Sequence, residues 1–165
     1  MNKFVKDLIP YIIIIIVVVL IRTFIITPAI VVGDSMIPTL KDGQILLLNK
    51  YTYHFNEIKR NDIIVIKVGK SEIIKRVIGL PGETIEYRNN ILYINGKATE
   101  DKYNTETDDF TLKGICNCDK IPEDKYLVLG DNRVVSSDSR IIGLIDKKDI
   151  IGKTKLSLWP IKKIN

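Results

Sequence analysis

Ser35 stands in the segment Val32-Gly33-Asp34-Ser35-Met36-Ile37-Pro38-Thr39-Leu40. A presented serine becomes a nucleophile only when a base takes its proton. The usual base is histidine. The chain has one, His54, in Tyr51-Thr52-Tyr53-His54-Phe55, beside Asn56 and without a distinctive acidic partner. We read His54 as a surface or core side chain, which leaves lysine as the base. Taken alone, the Ser35 segment is equally a polar turn leading into a strand.

The lysine suited to the task is Lys75, at the head of Lys75-Arg76-Val77-Ile78-Gly79-Leu80-Pro81-Gly82-Glu83. Strand alternation puts Ile73, Lys75 and Val77 on one face and Ile74, Arg76 and Ile78 on the other. A free lysine has a pKa of about 10.4, so at pH 7 only about one in a few thousand is neutral. Bringing the amine near neutrality takes roughly 4 kcal/mol of differential stabilisation, which burial on an apolar face can supply. The plainer alternative is a lysine guarding an exposed edge strand against unwanted pairing.

A third segment, Gly130-Asp131-Asn132-Arg133-Val134-Val135-Ser136-Ser137-Asp138-Ser139-Arg140, holds two carboxylates, two guanidiniums and three hydroxyls in eleven residues. A solvated loop rarely needs so many groups suited to bidentate pairing.

The elements that must position these groups follow from apolar periodicity. Short runs rich in Ile, Val, Leu and Tyr occupy 44–50, 62–68, 72–78, 84–87, 91–94, 125–129 and 155–158, separated by Asp42-Gly43, Gly69-Lys70, Pro81-Gly82, Asn89-Asn90 and Asn95-Gly96. That spacing predicts an all-β, mainly antiparallel domain. A short helical turn is expected near 38–41 or 146–149. The polar stretch 95–120 reads as an excursion on the domain surface.

Before the strands, residues 8–26 form an apolar run interrupted by one charge, Arg22. As a helix it would reach about 30 Å, the thickness of a bilayer core. It is apolar on every face, unlike an amphipathic core helix, longer than an ordinary strand, and not followed by an A-x-A site. We therefore expect an uncleaved membrane anchor over 8–27, a cytoplasmic N-terminus over 1–7 carrying Lys3 and Lys6, and an extracytoplasmic β-rich domain over 28–165.

The net charge of +5 is spread among mixed signs, with no Lys/Arg stripe for nucleic acid. A basic surface near anionic lipid is the plainer reading. Cys116 and Cys118 with a single histidine do not make a zinc site. We expect two loop thiols with no part in catalysis, a disulfide across one residue being strained. No metal or cofactor is expected.

The three segments, in this order and behind this anchor, resemble the bacterial type I signal peptidase family over about residues 10–160. The resemblance implies a serine endopeptidase of the cell membrane that removes N-terminal signal peptides from secreted preproteins. In that family's terms, Ser35 attacks the scissile carbonyl and forms an acyl-enzyme. Lys75 is the general base, and Ser136 hydrogen-bonds and orients it. Asp138 pairs with Arg140 and Arg76, and Asp131 also holds Arg76. The Ser35 backbone N–H forms part of the oxyanion hole. Val31, Val32 and Ile74 line small apolar pockets for an extended substrate, and Met36 packs beneath the site.

Three departures accompany the likeness. Gly33 stands where some members carry a serine whose hydroxyl completes the oxyanion hole, which resembles the Gram-positive style of the family. Val134-Val135 replace residues that are usually polar. The chain is short, implying that it lacks the large second β-domain of some Gram-negative members. Trp159 fits either a membrane interface or core packing. Two other readings compete: another serine/lysine protease of the same broad clan, such as a self-cleaving repressor type, and a membrane-tethered β-domain that binds partners without catalysis.

Overall fold

The computed structural model describes residues 3–24, 26–50, 57–103 and 106–164, with backbone alone for 3–6, 21–24 and 26. His54 lies outside the described residues.

The N-terminal helix runs Lys3–Phe24. Its large apolar side chains between Leu8 and Leu20 are exposed. Taking only residues whose side chains are described, 7–20 of this helix, no helix is long and apolar enough to cross a membrane. The helix also stops short of the expected anchor boundary at 27. Strand β1 (Ile26–Ile30) takes over there, with Thr27 opposite Leu48.

Two antiparallel sheets follow. The larger has the order β1–β2–β11–β3–β4–β9–β10, with β12 added to β11. Its strands are β2 (Ile45–Asn49), β3 (Ile63–Val68), β4 (Ser71–Gly79), β9 (Lys125–Leu129), β10 (Ile145–Asp146), β11 (Ile150–Trp159) and β12 (Ile161–Lys163). The smaller sheet, β7–β6–β5–β8, is built from β5 (Ile85–Arg88), β6 (Ile91–Ile94), β7 (Lys97–Thr99) and β8 (Phe110–Thr111). Of the two short helical turns expected, a 3-10 turn forms at Lys147–Asp149, while 38–40 is an irregular turn.

Alternation decides which faces are buried. In β4 the Ile73 and Val77 side packs with Ile64, Ile66, Tyr126 and Val128. Ile78 joins a second cluster with Ile85, Tyr87, Leu127 and Leu129. Ile74 packs against a third, made by Val31, Met36, Leu40, Leu46, Ile63 and Ile164. β4 lies between β3 and β9, so Lys75 is no edge-strand guard.

The polar stretch 95–120 is more than a surface excursion. It supplies β7, β8 and a short helix Leu112–Cys116, and it seats Leu112 in the core. The cysteine expectation is corrected as well, since Cys116 and Cys118 form a disulfide. Asn117, at the helix C-cap, adopts a left-handed conformation (φ 52°) that turns the chain back and brings the two Cα atoms to 5.2 Å. Trp159 is 70% exposed, which removes the core-packing alternative.

Where β11 crosses β2, Gly152 is required by space. A Cβ there would lie 2.6 Å from the Asn49 carbonyl oxygen. Gly152→Ala should therefore cost about 1–3 kcal/mol through forced strand separation. Thermal unfolding of the pair checks this, and equal melting temperatures would refute it.

Candidate active site

The turn carrying Ser35 is held at both ends. Val31 N–H donates to the Gln44 carbonyl at 2.8 Å, and Gly43 N–H donates back to Val31 at 3.0 Å. Gly33 N–H donates to Asp42 Oδ1 at 2.7 Å. Met36 and Leu40, both within 1% of full burial, anchor the far side in the core. Gly33 has φ +83°, a left-handed conformation that side chains disfavour. The turn's own backbone thus accounts for a glycine at this position.

Lys75 reaches the turn from the middle of β4, opposite Ile64 in the β3 register. It is 3% exposed, and its Nζ lies in hydrogen-bond contact with Ser35 Oγ at 2.8 Å. Across the same distance a neutral amine can accept the hydroxyl proton. Burial lowers the Lys75 pKa from its ordinary value, against an opposing pull from the charges of Asp138 and Asp131.

Behind the pair, the segment after β9 folds into a network of buried ions. Arg76 is fully buried and forks onto Asp131, with both Nε–Oδ1 and Nη2–Oδ2 at 2.8 Å. Its Nη1 donates to the Asn61 carbonyl at 2.9 Å, and its face lies 3.5 Å from the Tyr103 ring centroid. Asp138 takes Arg140 Nε and Nη2, each at 2.9 Å, and Gly130 N–H at 3.0 Å. The expected Asp138–Arg76 pair does not form: Asp131 fills the Arg76 fork, and Asp138 is saturated by Arg140 and Gly130.

The expected Ser136–Lys75 hydrogen bond is also absent. Ser136 Oγ is buried without a partner. It stacks over Gly130, where a Cβ would lie 2.3 Å from Ser136 Oγ and 2.5 Å from the Ser35 carbonyl. Only glycine lets the supporting segment pass this close to the Ser35 backbone. Asn132 N–H completes that approach, donating to the Ser35 carbonyl at 3.0 Å.

Sequence reasoning missed a second brace. Arg133 is 1% exposed. Its Nε donates to the Gly130 carbonyl at 2.8 Å, and its Nη atoms donate to Tyr87 Oη at 2.7 Å, Thr107 Oγ1 at 3.1 Å and Asp101 Oδ2 at 2.6 Å. The Tyr87 hydroxyl donates to Asp101 as well, and burial raises its pKa, keeping it protonated. Asp101 and Tyr103 thus join the polar excursion to both arginines that support the site. Nothing local in their sequence signals this role; the sign lay in Arg133 itself, a cation directly after an apolar strand.

A cleft of about 530 Å³ opens over the pair, lined by Val32, Ile37, Ile73, Asn132, Val135 and Ser137 together with the turn 33–35 and Lys75. Of the three residues expected to line apolar pockets, Val31, Val32 and Ile74, only Val32 lines it. Val31 and Met36 are buried in the core and Ile74 packs against them. Ile37, Ile73 and Val135 take the lining positions instead. Among the described residues no cluster of His, Cys, Asp or Glu could hold a metal.

Comparison with known proteins gives one direction throughout. A family profile described as "Signal peptidase, peptidase S26" matches residues 3–159. Signal peptidase I of Bacillus caldolyticus is 40% identical over 93% of this chain and 91% of its own. Signal peptidase I P of Bacillus subtilis subsp. natto is 43% identical over 90% of this chain and 85% of its own. The crystal structure of a signal peptidase I from Enterococcus faecalis V583 superposes with a TM-score of 0.55 at 38% identity, covering 59% of this chain and 97% of that one. A buried serine–lysine contact on this β fold, with a family match along nearly its whole length, places the chain in the peptidase S26 family of signal peptidases.

Proposed function

We propose that the chain is a membrane-anchored serine endopeptidase that removes N-terminal signal peptides from preproteins, with Ser35 as nucleophile and Lys75 as general base. The observation that carries this reading is the 2.8 Å contact between Lys75 Nζ and Ser35 Oγ at a site where Lys75 is buried. The S26 relatives, each a signal peptidase I by name, support the substrate class.

The chemistry follows from the geometry. Neutral Lys75 accepts the Ser35 proton as Oγ bonds to the scissile carbonyl carbon. The ammonium so formed returns that proton to the leaving amine when the C–N bond breaks, leaving an acyl-enzyme. Lys75, neutral again, then takes a proton from water as that water attacks the ester. Asp131, Arg76, Asp138 and Arg140 keep the supporting segment against the Ser35 carbonyl. Ser136, in the same segment, is buried against Gly130 at its close approach to the Ser35 carbonyl. An extended preprotein segment suits a cleft of this size whose apolar lining residues are Val32, Ile37, Ile73 and Val135.

The anchor reading rests on the helix Lys3–Phe24, whose 22 residues reach about 33 Å at 1.5 Å each, and on apolar side chains exposed around it. Lys3 and Lys6 before the apolar run favour a cytoplasmic N-terminus over 1–7. The protease domain, from about 28 onward, then lies on the outer side of the cell membrane, near the preproteins it processes.

Full-length protein in detergent or lipid should cut a preprotein once, after an A-x-A-like site. Ser35→Ala and Lys75→Ala should each lower the rate by at least about 10³-fold; cutting retained in both would defeat the assignment. The rate should also rise with pH. Because burial lowers the Lys75 pKa, the neutral base becomes available below the ordinary lysine range, and the rising limb should have its midpoint there. A flat profile, or a midpoint at or above the ordinary value, would contradict a lysine base.

A further inference from the structure

The oxyanion formed at Ser35 needs two donors, and this turn visibly supplies one. Among the described residues, Ser35 N–H has no acceptor. Gly33 brings no side-chain donor, and its N–H is already committed to Asp42 Oδ1 at 2.7 Å. The positive φ of Gly33 also sets a barrier to restoring a hydroxyl there.

We infer that the side-chain amide of Asn132 is the second oxyanion donor. Asn132 lines the cleft together with Ser35 and Lys75. Its backbone N–H donates to the Ser35 carbonyl at 3.0 Å, which fixes the two residues against each other. Its side chain is half-buried, and among the described residues its amide has no hydrogen-bond partner. A half-buried amide without a partner, on a residue that lines the cleft, is a donor held in reserve. Ser137, the other neutral side-chain donor in the lining, is exposed, where water competes for it. Asp34 N–H is the rival backbone donor.

In the step itself, the Ser35 Oγ–C bond forms, the proton passes to Lys75 Nζ, and the carbonyl π pair moves onto oxygen. That oxygen then accepts from Ser35 N–H and Asn132 Nδ2. These bonds are stronger to the oxyanion than to the ground-state carbonyl, so they act on kcat and leave KM nearly alone.

The inference rests on Ser35 as nucleophile, and the experiment separates the two. Preprotein cleavage is measured for the full chain in detergent with Asn132→Ala, Asn132→Asp and Asn132→Gln, beside Ser35→Ala. The Ala and Asp variants should lose about 10²–10³-fold in kcat, the usual effect of removing one oxyanion donor, with KM within about 3-fold of the parent. Gln, which keeps a donor on a longer arm, should recover part of the loss. The Ala variant should keep the parent's melting temperature and the midpoint of its pH–rate curve, since Asn132 makes no side-chain bond that a fold would lose. A kcat within about 3-fold of the parent would overturn the inference and assign the second donor to Asp34 N–H. A loss accompanied by a displaced pH midpoint would overturn it too, showing that Asn132 acts by placing Lys75. Cleavage surviving in Ser35→Ala would instead defeat the nucleophile assignment.

Discussion

A lysine can serve as a base only if its charge is made unwelcome, and at this site two carboxylates work the other way. Asp131 and Asp138 stand close enough to favour the Lys75 ammonium, yet burial outweighs them. The ion pairs explain how that balance holds. Each carboxylate has its own guanidinium: Asp131 is gripped at two points by Arg76, and Asp138 at two by Arg140. A carboxylate paired at close range presents little net charge beyond its partner, so Lys75 experiences mainly desolvation. Asp131 and Asp138 are themselves fully buried. Removing either arginine would leave a buried uncompensated anion beside the base, harming both stability and the neutral state of Lys75.

The rest of the fold delivers these groups to one place. β4 carries Lys75 and Arg76 on opposite faces, so one strand presents Lys75 to the cleft and Arg76 to the interior. β9 ends at Leu129, and Gly130 lets the chain after it run along the Ser35 turn at a distance no side chain would tolerate. The smaller sheet contributes from further off. Tyr87 of β5, with Asp101 and Tyr103 from the excursion beyond β7, closes around Arg133 and Arg76. That excursion, the most polar part of the chain, is therefore bound into the support of the site.

Much of this was legible in the sequence because short apolar runs bounded by turn residues mark strands buried in a sheet, as in β3 and β9. Strands β2 to β6, β9 and the later part of β11 follow the apolar runs, and the Lys75 face is as apolar as its neighbours Ile73 and Val77 imply. β1 was hidden because its Ile26 continues the apolar run of the helix. β7 and β8 are too short and polar to show a period. Partner choice was the least legible feature. Which aspartate takes Arg76, where Ser136 points, and that Val31 and Met36 turn inward while Val32 faces the cleft all depend on how three separated segments pack. The Cys116–Cys118 bridge depended on a left-handed Asn117, a backbone choice that residue type only permits.

The central claim is that burial holds Lys75 in its neutral form within reach of Ser35. Direct titration of the Lys75 side chain by ¹³C NMR, with its signal assigned by comparison with Lys75→Ala, tests it without relying on turnover. The account predicts a midpoint clearly below that of the exposed lysines in the same protein. A midpoint equal to theirs or higher would show that Asp131 and Asp138 prevail over burial, and would contradict Lys75 as the base.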